Sequence, residues 1–232
     1  MYFCTKQTCV RLANMPNLMT FTLPEPLKQA YQAEIQKTIE DKRIARIWER
    51  DASVWTGGDE SKWLGWLDIV DEEKANAGRY QALREDREAA GFKDVLLMGM
   101  GGSSLCPEVL AKTFGENNFH ILDSTVPAQV ITAESKLDIA RTLFIVASKS
   151  GTTLEPNCFK QYFFDRVEKT VGKGNAGKQF IAITDPGSKM QRIAEEDGFR
   201  HVLYGKPEIG GRFSALSGFG LAPAALMGLD VE

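Results

Sequence analysis

From residue 94 onward the chain alternates short apolar runs with longer amphipathic ones. Asp94-Val95-Leu96-Leu97-Met98, Phe119-His120-Ile121-Leu122 and Thr142-Leu143-Phe144-Ile145-Val146-Ala147 are continuous enough to be buried strands, and 180–184 and 201–204 read the same way. Helical spacing fills the gaps. Leu105, Val109 and Leu110 follow the first strand, with Pro107 in the opening turn and Gly115 just past the end. Phe159, Phe163 and Val167 recur every four residues after the third. Strand-helix alternation predicts right-handed crossovers and an α/β fold, a doubly wound parallel five-stranded sheet with strands near 94–99, 119–122, 142–147, 180–184 and 201–204. A ligand of such a sheet belongs at the carboxyl ends of the strands.

Upstream the pattern is helical. Leu27, Tyr31, Ile35 and Ile39 share one face, and a second helix with Leu67, Tyr80 and Leu83 closes at Gly91. Trp48, Trp55, Trp63 and Trp66 are assigned to packing, and Pro16 to Pro26 to a loose arm. Residues 1–91 are thus expected to form an N-terminal arm and helical segment, and 92–232 the α/β domain.

Composition narrows the function classes. A 232-residue chain with 43% hydrophobic residues is long enough for a globular core, and a net charge of -3 gives no support to nucleic-acid binding. No stretch approaches a membrane span, and Met1 to Thr20 lacks the apolar run of a signal peptide, so a cytoplasmic protein is expected. Cys4, Cys9, Cys106 and Cys158 show no metal spacing and read as free thiols; neither metal nor cofactor is expected.

Candidate chemistry sits in two loops between strand and helix. Gly99-Met100-Gly101-Gly102-Ser103-Ser104 and Ser148-Lys149-Ser150-Gly151-Thr152-Thr153 each precede a helix start, where unpaired N–H groups and the positive end of the dipole favour an anion. Glycines allow close approach of the backbone, and the hydroxyls add donors. Simpler readings exist for each loop: a tight packing turn for the first, and a capping box of Thr152 with Glu155 for part of the second. A dinucleotide site is a rival, since Gly99-x-Gly101-x-x-Ser104 nearly matches that fingerprint and Asp123 ends the next strand. Against it, Ser104 replaces the third glycine and the second loop has no role there. A Walker loop fails, because no Gly-Lys-Ser/Thr follows a glycine at the required spacing. A third segment, Glu208-Ile209-Gly210-Gly211-Arg212-Phe213-Ser214, frees the backbone around an arginine able to neutralise an oxyanion, before a helix capped by Ser214 or Ser217.

These three motifs, in this order, resemble the phosphoglucose isomerase family and its sugar isomerase domain from about Asp94 to the end. The resemblance implies isomerisation of glucose 6-phosphate and fructose 6-phosphate through an enediolate. It assigns substrate binding to Gly102, Ser103, Ser148, Lys149, Ser150, Gly151, Thr152, Thr153 and Gly211, and the catalytic cation to Arg212. Ser150, Gly151 and Cys106 depart from the family's usual Thr, aromatic and glycine. Residues 46–58, from Arg46-Ile47-Trp48 to Gly57-Gly58, resemble the lead-in of bifunctional transaldolase/phosphoglucose isomerases. The family's base glutamate, ring-opening histidine and late lysine lie in a second sugar isomerase domain, and no such motif follows Arg212. His120 and His201 fall in strand patterns, and Glu155 in a helix start. The resemblance therefore implies the first half of an isomerase, ended by truncation, whose partners are a sugar phosphate, the missing C-terminal domain and a second copy in a homodimer. The alternatives are a stand-alone sugar-phosphate-binding regulatory module or an NAD-binding domain.

Overall fold

A computed structural model describes residues 2–4, 9–11 and 22–231. Pro16 to Phe21, the Cys4 and Cys9 side chains and most of the Met1 to Thr20 stretch, in which no signal peptide is expected, lie outside the described residues. The chain divides into two compact units, Met1–Leu67 and Asp68–Glu232.

In the first unit, strands β1 (Tyr2–Cys4) and β2 (Cys9–Arg11) pair antiparallel, and helices α1 (Glu25–Glu40) and α2 (Arg43–Trp48) follow. Pro24 is the N-cap residue of α1, and Lys42, in the left-handed region at φ 50°, separates the two helices. The guanidinium of Arg46 donates to Asp51 at 2.7 Å and to Ser53 Oγ at 2.8 Å. Donation by the Ser53 hydroxyl, then by Arg46, holds the Asp51 carboxyl down at about 2. The helical spacing of Leu27, Tyr31, Ile35 and Ile39 is realised in α1, yet all four side chains are exposed. The packing role expected of the tryptophans is corrected for Trp55, Trp63 and Trp66, which are exposed, while Trp48 is half-buried.

The second unit contains α3 (Ile69–Ala75), α4 (Gly78–Ala89), β3 (Asp94–Gly99), α5 (Leu105–Phe114), β4 (Phe119–Leu122), α6 (Pro127–Glu134) and β5 (Thr142–Ala147). It continues with α7 (Leu154–Val171), β6 (Phe180–Thr184), α8 (Lys189–Glu196), β7 (His201–Tyr204) and α9 (Gly218–Met227). All five strands are parallel, in the order β4-β3-β5-β6-β7. Alternate residues feed two cores. Val95, Leu97, Leu143, Ile145, Ile181 and Ile183 pack with Tyr80 and Leu83 of α4, Ala111 of α5 and the apolar residues of α9. Leu96, Met98, Phe144, Val146, Phe180 and Ala182 pack with Phe159, Phe163 and Val167 of α7 and Met190 and Ala194 of α8. The fold is the expected doubly wound α/β sheet, its strand bounds matching the apolar runs.

Two helix expectations change. The single helix drawn through Leu67, Tyr80 and Leu83 is a 3-10 turn at Gly65–Leu67 followed by α3 and α4, broken at Asn76–Ala77; only its end at Gly91, φ 74°, stands as read. In α5 the buried positions are Pro107 and Ala111, while Leu105 and Val109 are exposed. Ala111 and the half-buried Leu110 face the first core, and Leu105 and Val109 lie on the opposite side. Gly115 ends it with φ 73°, as expected. Among the described residues no helix is long and apolar enough to cross a membrane, and Cys106 and Cys158 are free thiols.

Candidate phosphate-binding site

Strand order creates the crevice. From β3 the chain crosses over to β4 on one side, returns past β3 to β5, and then continues outward through β6 and β7. The switch of direction falls between β3 and β5, where loops leaving adjacent strand ends diverge and a ligand can enter. Gly99 is in register with Ala147, so the two candidate loops begin at the same height.

The first loop turns through Gly101, φ 56°, into a short 3-10 turn, Gly101–Ser103, before α5. Gly102 matters by contact: a Cβ there would lie 2.4 Å from the Gly211 carbonyl oxygen and 3.0 Å from the Arg212 nitrogen. Only glycine permits that approach, and through it the third motif rests directly on the first. Among the described residues the Ser103 hydroxyl has no hydrogen-bond partner, so it is open to an acceptor.

The second loop carries its own scaffold. Ser148 Oγ donates to Thr153 Oγ1 at 3.3 Å, and the hydroxyls of Ser150 and Thr152 lie 2.8 Å apart. Asn157, one turn into α7, donates to the Gly151 and Thr153 carbonyls at 3.2 and 2.7 Å. Gly151 has φ 70°, and a Cβ would lie 2.4 Å from the Met190 nitrogen. The capping box of Thr152 and Glu155 is not formed: Thr153 is the N-cap residue and its side chain makes no capping bond to the helix, and the Thr152 N–H is taken by Ser150 Oγ at 3.2 Å. Among the described residues, no acceptor pairs with the backbone N–H of Lys149, Ser150 or Thr153. Those N–H groups and the first-turn amides of α7 are donors of the kind an anion can accept from. The Lys149 ammonium is turned elsewhere, 2.6 Å from Asp185 Oδ2 and 2.9 Å from the Lys206 carbonyl.

The third motif forms a 3-10 turn, Gly211–Leu216, held by Ser214 Oγ on the Gly211 carbonyl at 2.6 Å. Of the two capping candidates Ser217 caps α9, accepting from the Phe219 N–H at 3.3 Å. Arg212 is exposed and, among the described residues, has no ion pair. It lines a pocket of about 230 Å³ together with Gly102, Gly211 and the apolar face of α5. A larger cavity of about 600 Å³ runs along edge strand β4 and takes in His120 and Asp123 but none of the motif residues. His120 stands 3.5 Å from Asp94 and His201 2.8 Å from Asp86, both toward the rim opposite the loops. Sequence reasoning missed Asn157, Thr184 and Asp185 as loop supports, and Ser188, three residues after Asp185, caps α8.

This architecture is a doubly wound α/β domain with its candidate loops at the switch point of a parallel sheet. The phosphoglucose isomerase family model matches residues 73–231, and the chain belongs to that family. A glucose-6-phosphate isomerase of Thermus thermophilus is 33% identical over 179 residues, which is 75% of this chain and 42% of the relative. One of Trichormus variabilis is 30% identical over 218 residues, 83% of this chain and 41% of the relative. The crystal structure of a hypothetical protein from Thermus thermophilus superposes with a TM-score of 0.70 at 30% identity, covering 88% of this chain and 47% of that one. A glucose-6-phosphate isomerase from Chlamydia trachomatis gives 0.57 at 26% identity, covering 78% and 33%. The chain thus spans less than half the length of the relatives it matches.

Proposed function

We propose that this chain carries the phosphate-binding and enediolate-stabilising part of a glucose-6-phosphate isomerase, an intramolecular oxidoreductase interconverting glucose 6-phosphate and fructose 6-phosphate. The observation that carries the reading is the meeting of three motifs at one rim: two loops leaving adjacent strands, and Gly211–Arg212 seated on Gly102. The substrate phosphate is held by Ser103, by the hydroxyls of Ser148, Ser150, Thr152 and Thr153, and by the free N–H groups of the second loop, Lys149 acting through its backbone. Gly102, Gly151 and Gly211 let main chain approach the sugar. A base removes the proton on C2 of the open-chain aldose, charge develops on the oxygens of an enediolate, and the guanidinium of Arg212 offsets it before a proton returns at C1. We assign the base and the ring-opening acid to a second sugar isomerase domain outside these 232 residues, in a homodimeric enzyme.

Calorimetric titration with fructose 6-phosphate and a crystal soak with the same ligand test the reading. The expected outcome is heat of binding and an ordered phosphate between Ser103 and the 148–153 loop. An anion ordered elsewhere together with no heat rejects it. Protection against thermal unfolding by NAD, and not by sugar phosphate, would favour the dinucleotide rival instead.

A further inference from the structure

Two carbonyl groups of the second loop, those of Ser148 and Lys149, are turned toward the end of β6. Thr184 Oγ1, fully buried at the end of β6, donates to the Ser148 carbonyl at 2.7 Å and to the Lys149 carbonyl at 3.3 Å. The Asp185 N–H donates to that same Lys149 carbonyl at 3.0 Å. In a planar trans peptide the C=O and the next N–H point in opposite directions. With both carbonyls directed at β6, the N–H groups of Lys149 and Ser150 are directed away from it, toward the side of β5 where β3 and the first loop lie. These are the N–H groups left without an acceptor.

The carboxylate of Asp185 completes the hold. Its Oδ2 takes the Lys149 ammonium at 2.6 Å, while its buried Oδ1 has no hydrogen-bond partner. A buried carboxylate oxygen without a donor is costly, so local packing alone does not account for this side chain. Asp185 grips Lys149 at both ends, by its own N–H on the carbonyl and by its carboxylate on the ammonium. The ammonium also reaches the Lys206 carbonyl at 2.9 Å, in the segment that leads from β7 to Gly211 and Arg212.

We propose that Asp185 is a positioning residue for phosphate capture: through Lys149 it aims the Lys149 and Ser150 N–H groups at the phosphate and keeps the lysine's charge out of the cradle. The inference rests on the sugar-phosphate reading above. It assigns a function to an acidic residue that otherwise only precedes the cap of α8. It also separates two possible uses of Lys149. As a tether, the lysine and Asp185 act together and removing either weakens binding; as a direct phosphate ligand, the lysine would bind better once released from Asp185.

A double-mutant cycle on the 232-residue chain, read by amide NMR during titration with fructose 6-phosphate, decides between them. Amides of β3 and β6 remote from the loop report that each variant is folded. In the wild type the Lys149, Ser150 and Thr153 amides are expected to shift and saturate. Asp185→Asn and Lys149→Met should each weaken binding about tenfold, and the double variant should be no weaker than the worse single one, because both changes cut one tie. Asp185→Asn binding as tightly as the wild type, or more tightly, overturns the inference while leaving the phosphate site standing. A folded wild type whose loop amides do not respond at all overturns the sugar-phosphate reading and this inference with it.

Discussion

Thr153 and Arg212 stand in different surroundings, and that difference sets what each can contribute. Thr153 is braced at the start of α7, its hydroxyl 3.3 Å from that of Ser148. Removing a hydroxyl that bonds a charged phosphate costs about 1.5–3 kcal/mol. Thr153→Ala should therefore raise the calorimetric Kd for fructose 6-phosphate, with the fold intact. Arg212 is exposed and has no ion pair among the described residues, so its charge is free to act on an oxyanion. In a full-length isomerase carrying this sequence, Arg212→Ala should depress kcat more than it raises KM. Steady-state kinetics showing equal losses at both positions, confined to affinity, would reject this division of roles. Gly151 is a conformational requirement: with φ 70° and the Met190 nitrogen 2.4 Å from any added Cβ, Gly151→Ala should destabilise the chain by roughly 1–3 kcal/mol, read as a lower urea midpoint. The loop residues were legible in sequence because Ser, Thr and Gly crowd a crossover. Asp185 was not, because its partner Lys149 lies 36 residues away.

At the scale of elements, α4 is fixed to the start of β7 by one carboxylate. Arg200 donates to both oxygens of Asp86, and His201 Nε2 lies 2.8 Å from one of them. Donation by Arg200, with His201 adding to it, lowers the Asp86 carboxyl from 3.8 to about 2. A depressed acid stabilises the fold fully above its ordinary value and loses that contribution as pH falls toward the folded one. Asp86→Asn should lower Tm at neutral pH, and the gap to the wild type should close between roughly pH 4 and pH 2. A thermal-melt series across pH checks this; a gap that persists unchanged at pH 2 contradicts it. The side chain is 34% exposed, so solvent screening keeps the effect modest. Strands were legible to the residue: β3, β5 and β6 are apolar runs buried on both faces, and the half-buried edge strands β4 and β7 are short apolar runs that each carry one histidine. Helix faces were less so. Spacing revealed that α1 and α5 are amphipathic, but it cannot say what lies opposite, and Leu27, Ile35, Leu105 and Val109 are exposed. The expected capping box failed for a local reason, since Ser150 Oγ reaches the Thr152 N–H first.

For the molecule as a whole, alternation of strands and helices predicted a doubly wound sheet but carried no information about strand order. That order, with the switch between β3 and β5, is what makes neighbours of the two loops. The 232-residue chain is expected to bind sugar phosphates weakly and not to isomerise them, because electrostatic stabilisation without a positioned base leaves the C–H bond intact. A coupled assay of glucose 6-phosphate formation from fructose 6-phosphate checks this. Turnover of roughly 1–1000 per second would mean that a base lies within these residues.

The seat of Gly211 on Gly102 has a mechanical consequence. No side chain lies between the two backbones to absorb movement, since even a methyl group there would sit 2.4 Å from the opposing oxygen. Movement of the first loop toward this seat would therefore press on the backbone at Gly211 and Arg212. If the first loop holds the phosphate end of a sugar as proposed, a ligand that stiffens it is expected to narrow the spread of positions open to Arg212 at the other end. Under that reading, occupancy and charge placement would be geared together by the smallest residue available.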